Sequence, residues 1–204
     1  GEHAVVYGAR AVAMPLKNGL QITVTTERTA SDHLQIRVNT DVVVSESIQR
    51  VVLDAMALLG LPLHCLRVAI NHHTLLGAGL GSSASLCVGV IAALNQFYNL
   101  QLPKSDIAQL GNRLEEQFHG RPSGIDTAVV TYQEVIVFSK DNGCTQIRVG
   151  APVSGSHWPF VLIDSGLSCG TKVMVERARP FFESIDGRYA IEQFDRIAES
   201  VRLG

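Results

Sequence analysis

The sequence has 204 residues, 46% hydrophobic and 18% charged, with a formal net charge of -2, enough apolar material for a sizeable core in an ordinary globular chain. The near-neutral balance and the lack of any Lys/Arg run exclude a strongly basic nucleic-acid or membrane-surface binder and leave small molecules as the expected ligands. The longest apolar run is too short to span a bilayer and the first residues resemble no signal peptide. Cys65, Cys87, Cys144 and Cys169 form no C-x-x-C pair, which suits free thiols in a reducing cytoplasm.

The chain opens without an initiating Met, in GEHAVVYG, and reads as a fragment. Ala4 to Tyr7, Ala11 to Met14, Leu20 to Thr26 and His33 to Val38 are rich in Val, Ile and Thr and are separated by Gly, Pro or polar breaks, which predicts a β-rich opening. Ser45 or Ser47 can cap a helix carrying Ile48, Val51, Val52, Ala55, Leu58 and Leu59, stopping at Gly60 with Pro62 just beyond. Leu66, Val68 and Ile70 alternate as in a strand. His72 and His73, at its end, would point to opposite faces and hold no shared metal.

That strand leads into LLGAGLGSSASLCVGVIAALNQF, from Leu75 to Phe97. Gly77, Gly79 and Gly81 let the backbone adopt positive φ and bring bare N–H groups close to a ligand. From Ala84 to Phe97 nearly every residue is apolar or small, so a helix buried on almost all sides is expected, with Ser82 and Ser83 at its N-terminus. Such an end concentrates unpaired N–H groups and partial positive charge, and phosphate is the ligand it suits best. A Walker loop is excluded because Ser82, not lysine, follows Gly81, and a dinucleotide fingerprint fails at the same position. A plain glycine turn ahead of a core helix stays open as the alternative.

Pro103 and Ser105 start another helix, with Ile107, Leu110, Leu114 and Phe118 at helical spacing and Glu115 and Glu116 in its last turn. Acids there oppose the helix dipole, a small reason to look for a cation, although a solvated acidic face explains them equally. In HGRPSGIDTAVV, Gly120, Pro122 and Gly124 force an irregular turn, and Asp126 follows it as a functional carboxylate or as a simple cap. Val129 to Phe138 reads as one or two strands broken around Tyr132 to Glu134, and Phe160 to Asp164 as another. Thr171 can cap a helix starting near Lys172, Pro180 interrupts it, and Ile191, Phe194, Ile197, Ala198 and Val201 mark a last amphipathic helix.

Three separated motifs, GEHAVVYG at 1–8, GAGLGSSA at 77–84 and E-x-x-x-HGRPSGID at 115–126, resemble in order and approximate spacing those of the mevalonate kinase family. That family belongs to the small-molecule kinases named for galactokinase, homoserine kinase, mevalonate kinase and phosphomevalonate kinase. The middle motif is shared across the superfamily, whereas the outer two are closer to mevalonate kinases.

The resemblance implies a two-domain α+β kinase: an N-terminal domain with a left-handed β-α-β unit at 1–154, and the beginning of a ferredoxin-like C-terminal domain at 155–204. It implies ATP and Mg2+ as cofactors, mevalonate as substrate, early isoprenoid synthesis as the context, and a possible homodimer. By it, Asp126 is the catalytic base, and the phosphates lie against Gly77, Gly79, Leu80, Gly81, Ser82, Ser83 and Ala84. Ser83 and Glu115 ligate the metal, and Glu2, His3 and Thr171 face the substrate. A family Pro-Gly-Lys segment stands just before GEH, and a third glycine-rich motif lies in the C-terminal domain; neither is in this sequence, so the chain alone is expected to be a poor catalyst. Leu75 and Leu76 replace a usual proline, and Tyr132, Gln133 and Glu134 replace a glycine pair.

Other readings are a superfamily kinase acting on phosphomevalonate or a sugar, and a non-catalytic ligand-binding paralogue. A serine hydrolase is a further rival, because Gly166, Ser168 and Gly170 fit G-x-S-x-G. It is disfavoured because no histidine follows His157.

Overall fold

The computed structural model describes residues 3–16, 19–26, 36–40, 46–62, 66–72, 79–119, 122–141, 143–146, 163 and 171–203. In chain order, a short 3-10 helix at His3–Tyr7 precedes β1 (Ala11–Ala13), β2 (Leu20–Thr26), β3 (Ile36–Thr40), α1 (Glu46–Leu58) and β4 (Leu66–His72). There follow α2 (Ser82–Phe97), α3 (Lys104–His119), α4 (Ile125–Tyr132), β5 (Ile136–Ser139), β6 (Gly143–Gln146), α5 (Thr171–Glu183) and α6 (Ile185–Leu203). The chain divides into two compact units, Leu16–Thr131 and the combination of Gly1–Pro15 with Tyr132–Gly204. The boundary expected near residue 154 lies outside the described residues.

In the Leu16–Thr131 unit, β4 is the central strand of a three-stranded sheet, antiparallel to β2 and parallel to β3. A parallel neighbour requires a crossover, and α1 supplies it between β3 and β4. Val51, Val52, Ala55 and Met56 of α1, Leu66, Val68 and Ile70 of β4, and Val90, Ile91 and Leu94 of α2 form one buried core. The alternation along β4 sends those three apolar side chains to a single face.

Helix α2 packs against β2, α1 and α3, which accounts for its almost unbroken apolar sequence. Two glycines set how closely it is approached. A Cβ at Gly89 would lie 2.9 Å from Ile22 Cδ1, and one at Gly111 would lie 2.7 Å from Val88 Cγ2 and 3.4 Å from Val88 Cα. Gly111 therefore lets α3 press onto the backbone of α2. One turn further along α3, Glu115 meets Ser83 at the start of α2, so the two helices run in opposite directions.

In the other unit, β5 lies between β1 and β6, antiparallel to both. The Tyr7 hydroxyl donates to the Val175 carbonyl at 2.6 Å and its ring stacks on Phe182 at 4.8 Å. Arg10 donates through its backbone N–H to Asp195 and through its guanidinium to Glu199, at 2.6 and 3.0 Å. Ala198 of α6 packs with Val137 and Val12.

Four expectations are corrected. Ala4 to Tyr7 is not a strand: Gly8 and Ala9 return hydrogen bonds to the Val5 and Ala4 carbonyls, and Gly8, at φ 98, ends the segment. Val129 to Tyr132 is helical, because α4 starts at Ile125 with the Gly124 carbonyl accepting from Ala128. A short run of buried, β-branched residues carries no decisive period. The third strand runs from Ile36 to Thr40, two residues beyond its expected end, and positions 33–35 lie outside the described residues.

Pro180 sits inside α5, which begins at Thr171 itself and continues to Glu183. Proline disturbs the preceding turn but its own φ is helical, so the chain can continue. The break falls at Ser184, whose hydroxyl accepts from the Gly187 N–H at 3.1 Å as a helix cap. A Cβ at Gly187 would collide with the Phe181 carbonyl. The strand expected from Phe160 to Asp164 and the G-x-S-x-G segment lie outside the described residues, apart from Ile163.

Gly111→Ala is expected to lower unfolding stability by about 1–2 kcal/mol, because overpacking against Val88 outweighs the gain in helix propensity. A urea midpoint that stays or rises would show that α3 can shift without loss.

Candidate active site

The N-terminus of α2 has the electrostatic character that suits an anion. Its N-cap is Gly81 at φ 68, ψ 29, a left-handed conformation that glycine adopts without strain. No side-chain cap hydrogen bond is made at Gly81 and no acid stands in the first turn of α2, so the positive end of the helix dipole is not neutralised from within the helix. Gly79 is also left-handed, at φ 74. The intrahelical ladder begins with Ser85 N–H donating to the Gly81 carbonyl.

Asp126 reaches the same place from α4. A Cβ at Gly81 would lie 3.8 Å from both the Cβ and the Oδ1 of Asp126, so the carboxylate stands beside the glycine loop. The turn before it is held locally: the Ser123 hydroxyl accepts from Ile125 N–H at 3.4 Å, and Thr127 Oγ1 donates to the Gly124 carbonyl at 3.1 Å. Thr131 Oγ1 then donates back to the Thr127 carbonyl, and Gln133, at φ 58, follows the helix end.

The third contributor is Glu115, only 2% exposed, while Glu116 beside it is exposed. Its position is a turn before the end of α3 rather than in the last turn. Ser83 Oγ donates to Glu115 Oε1 at 2.9 Å, and His119 Nε2 lies 3.0 Å from the same hydroxyl and 3.6 Å from Glu115 Oε1. Burial pushes the Glu115 carboxyl up to about 7; the Ser83 hydrogen bond opposes this and the charge of Asp126 adds to it. Burial, with the Glu115 charge behind it, also pushes the Cys87 thiol up to about 12, which makes that thiol inert at neutral pH.

Ser82, Ser83 and Ala84 form the first turn of α2, and Leu80 lies between Gly79 and Gly81 in the loop. Gly77 and Glu2 lie outside the described residues. His3 opens the 3-10 helix and Thr171 opens α5, and only their backbone is described. His119 belongs to the motif read from sequence but received no role there. The available signal was its position four residues after Glu115 on a helix, which places both side chains on one face.

Comparison with known proteins identifies the family. Residues 46–134 match the family model for the GHMP kinases N terminal domain. The chain carries a GHMP kinase N-terminal domain. A mevalonate kinase of Methanocaldococcus jannaschii is 30% identical over 181 residues, covering 72% of this chain and 53% of its own. One of Pyrococcus abyssi is 28% identical over 212 residues, covering 91% and 59%. The chain thus spans a little over half the length of these relatives.

The crystal structure of L. major mevalonate kinase in complex with R-mevalonate superimposes over 100% of this chain and 64% of its own, with a TM-score of 0.75 and 19% identity. At that identity the likeness is one of fold, and the fold is the α+β fold of these kinases.

The raised carboxyl of Glu115 has a thermodynamic consequence. A group whose folded-state pKa lies above its unfolded value of 4.5 binds its proton more tightly in the folded chain, so the stability it contributes is present at low pH and lost as pH rises toward about 7. Between about pH 4 and about pH 8, the metal-free protein should lose up to about 3 kcal/mol more stability than Glu115→Gln. Urea titrations across that range measure the difference, and parallel pH profiles for the two proteins would remove burial as the cause.

Proposed function

We propose that this chain is the nucleotide-binding part, with some of the substrate site, of an ATP- and Mg2+-dependent kinase that phosphorylates the primary hydroxyl of mevalonate. The observation that carries the reading is the convergence of Asp126, Ser83 and Glu115 on the uncapped N-terminus of α2. Relatives matching most of the chain are named mevalonate kinase, which supports the substrate.

The residues fit a hard divalent cation. A buried carboxylate, a serine hydroxyl in contact with it, and the charge of a second carboxylate felt at the first form an oxygen donor set whose mutual repulsion a cation would relieve. Few protein ligands are what Mg2+ takes when phosphates complete its shell. Ser83 and Glu115 would hold it, and bound there it would neutralise charge on the phosphate oxygens.

In this reading the described part of the glycine loop and the first turn of α2, from Gly79 to Ala84, would offer N–H groups to the phosphates, with Gly77 assigned to the same loop from sequence. Asp126 accepts the proton of the substrate hydroxyl as its oxygen attacks the γ-phosphorus and the bond to the bridging oxygen breaks, releasing ADP in one in-line step. Glu2, His3 and Thr171 contact mevalonate in this reading. Among the described residues no helix is long and apolar enough to cross a membrane, which is compatible with a cytoplasmic kinase.

In the protein from the complete reading frame, Asp126→Asn should lower kcat by about 10^2- to 10^4-fold with ATP affinity largely retained. The assay is ADP release with mevalonate, phosphomevalonate, homoserine and galactose offered in parallel. Unchanged turnover in the variant would remove Asp126 as base, and turnover on a different alcohol would reassign the substrate.

A further inference from the structure

We propose that His119 is a positioning residue for the Ser83–Glu115 pair, an inference that rests on the reading of that pair as a cation site. A serine hydroxyl has one proton and two lone pairs. In the structure that proton is directed to Glu115 Oε1 at 2.9 Å. The approach of His119 Nε2 to the same oxygen at 3.0 Å is then a hydrogen bond only with Nε2–H as the donor. The hydroxyl is thereby clamped: its proton is committed to Glu115, one lone pair is committed to His119, and a single lone pair is left in a fixed direction for an incoming cation.

Backbone geometry supports the clamp from both sides. Glu115 and His119 are four residues apart on α3, so one helix face presents both partners to the serine. The Gly111–Val88 approach sets the distance between that face and α2. His119 is also the basic residue of the last turn of α3, where the helix dipole favours a donor. A Ser-His-acid nucleophile is not what this arrangement makes. In such a triad the acid holds the far nitrogen of the imidazole, whereas here Glu115 and His119 Nε2 both meet the serine oxygen.

Removing a group that orients a metal ligand typically costs 10- to 100-fold in metal affinity. The test is Mn2+ binding, followed by electron paramagnetic resonance, to the protein from the complete reading frame with a non-hydrolysable ATP analogue. His119→Ala should weaken Mn2+ by about tenfold or more. His119→Gln, whose amide nitrogen can occupy the place of Nε2, should restore most of the affinity. KM for mevalonate should change little in either variant. Ser83→Ala with His119→Ala should be no weaker than Ser83→Ala alone, since the two act through one oxygen.

A His119→Ala protein that loses thermal stability but binds Mn2+ normally, while Ser83→Ala binds it weakly, would overturn the proposal and leave the cation site standing. If Ser83→Ala also binds Mn2+ normally, the cation site itself falls and the proposal with it.

Discussion

A carboxylate with almost no access to water must be compensated by its neighbours or remain protonated. Glu115 is the residue on which this constraint falls. Its partners come from two directions: a serine at the first turn of α2 and a histidine one turn along its own helix. The partnership with the serine depends on α3 lying close to α2, and that approach is available because residue 111 has no side chain to collide with Val88. The chemistry of the site is therefore tied to a packing detail away from it. A hydrophobic core that fixes the distance between two helices also fixes whether a hydroxyl and a carboxylate can meet.

The arrangement around α2 extends the same logic. Its flanks are largely spent on burial against the sheet, α1 and α3, while its N-terminus stays at the glycine loop. A glycine N-cap leaves that end without a side-chain acceptor, and Asp126 is brought beside the loop by a separate short helix. The carboxylate and the helix end carry opposite electrostatic character. Held side by side, they are the pairing on which the proposed phosphoryl transfer rests.

Much of the Leu16–Thr131 unit was legible in the sequence because its elements carry strong local signals. The apolar period of α1, the alternation of β4 and the glycine-to-helix transition at Gly81 each appear in the structure. Errors fell where short apolar runs could satisfy more than one backbone geometry. Residues 4–7 and 129–132 are rich in β-branched side chains, yet both form helical turns closed by nearby carbonyls. The helix break lies at Ser184 rather than at Pro180, because the Ser184 cap depends on Gly187 three residues later. At the site, the burial of Glu115 over Glu116 and the closeness of His119 to Ser83 are tertiary facts. Helical spacing could put the side chains on one face, but could not say which face meets α2.

The second compact unit is assembled from the two ends of the chain. Strand β1 pairs with β5, and Arg10 is held by Asp195 and Glu199 across separations of 185 and 189 residues. The Leu16–Thr131 unit, by contrast, is continuous in sequence. Loop closure over such distances is slow, and domains tend to form as their residues emerge during synthesis. The continuous unit can therefore consolidate while the first fifteen residues still wait for α6. Within its own unit, the segment that carries Tyr7 and Arg10 gains its hydrogen-bond partners only once α5 and α6 have formed.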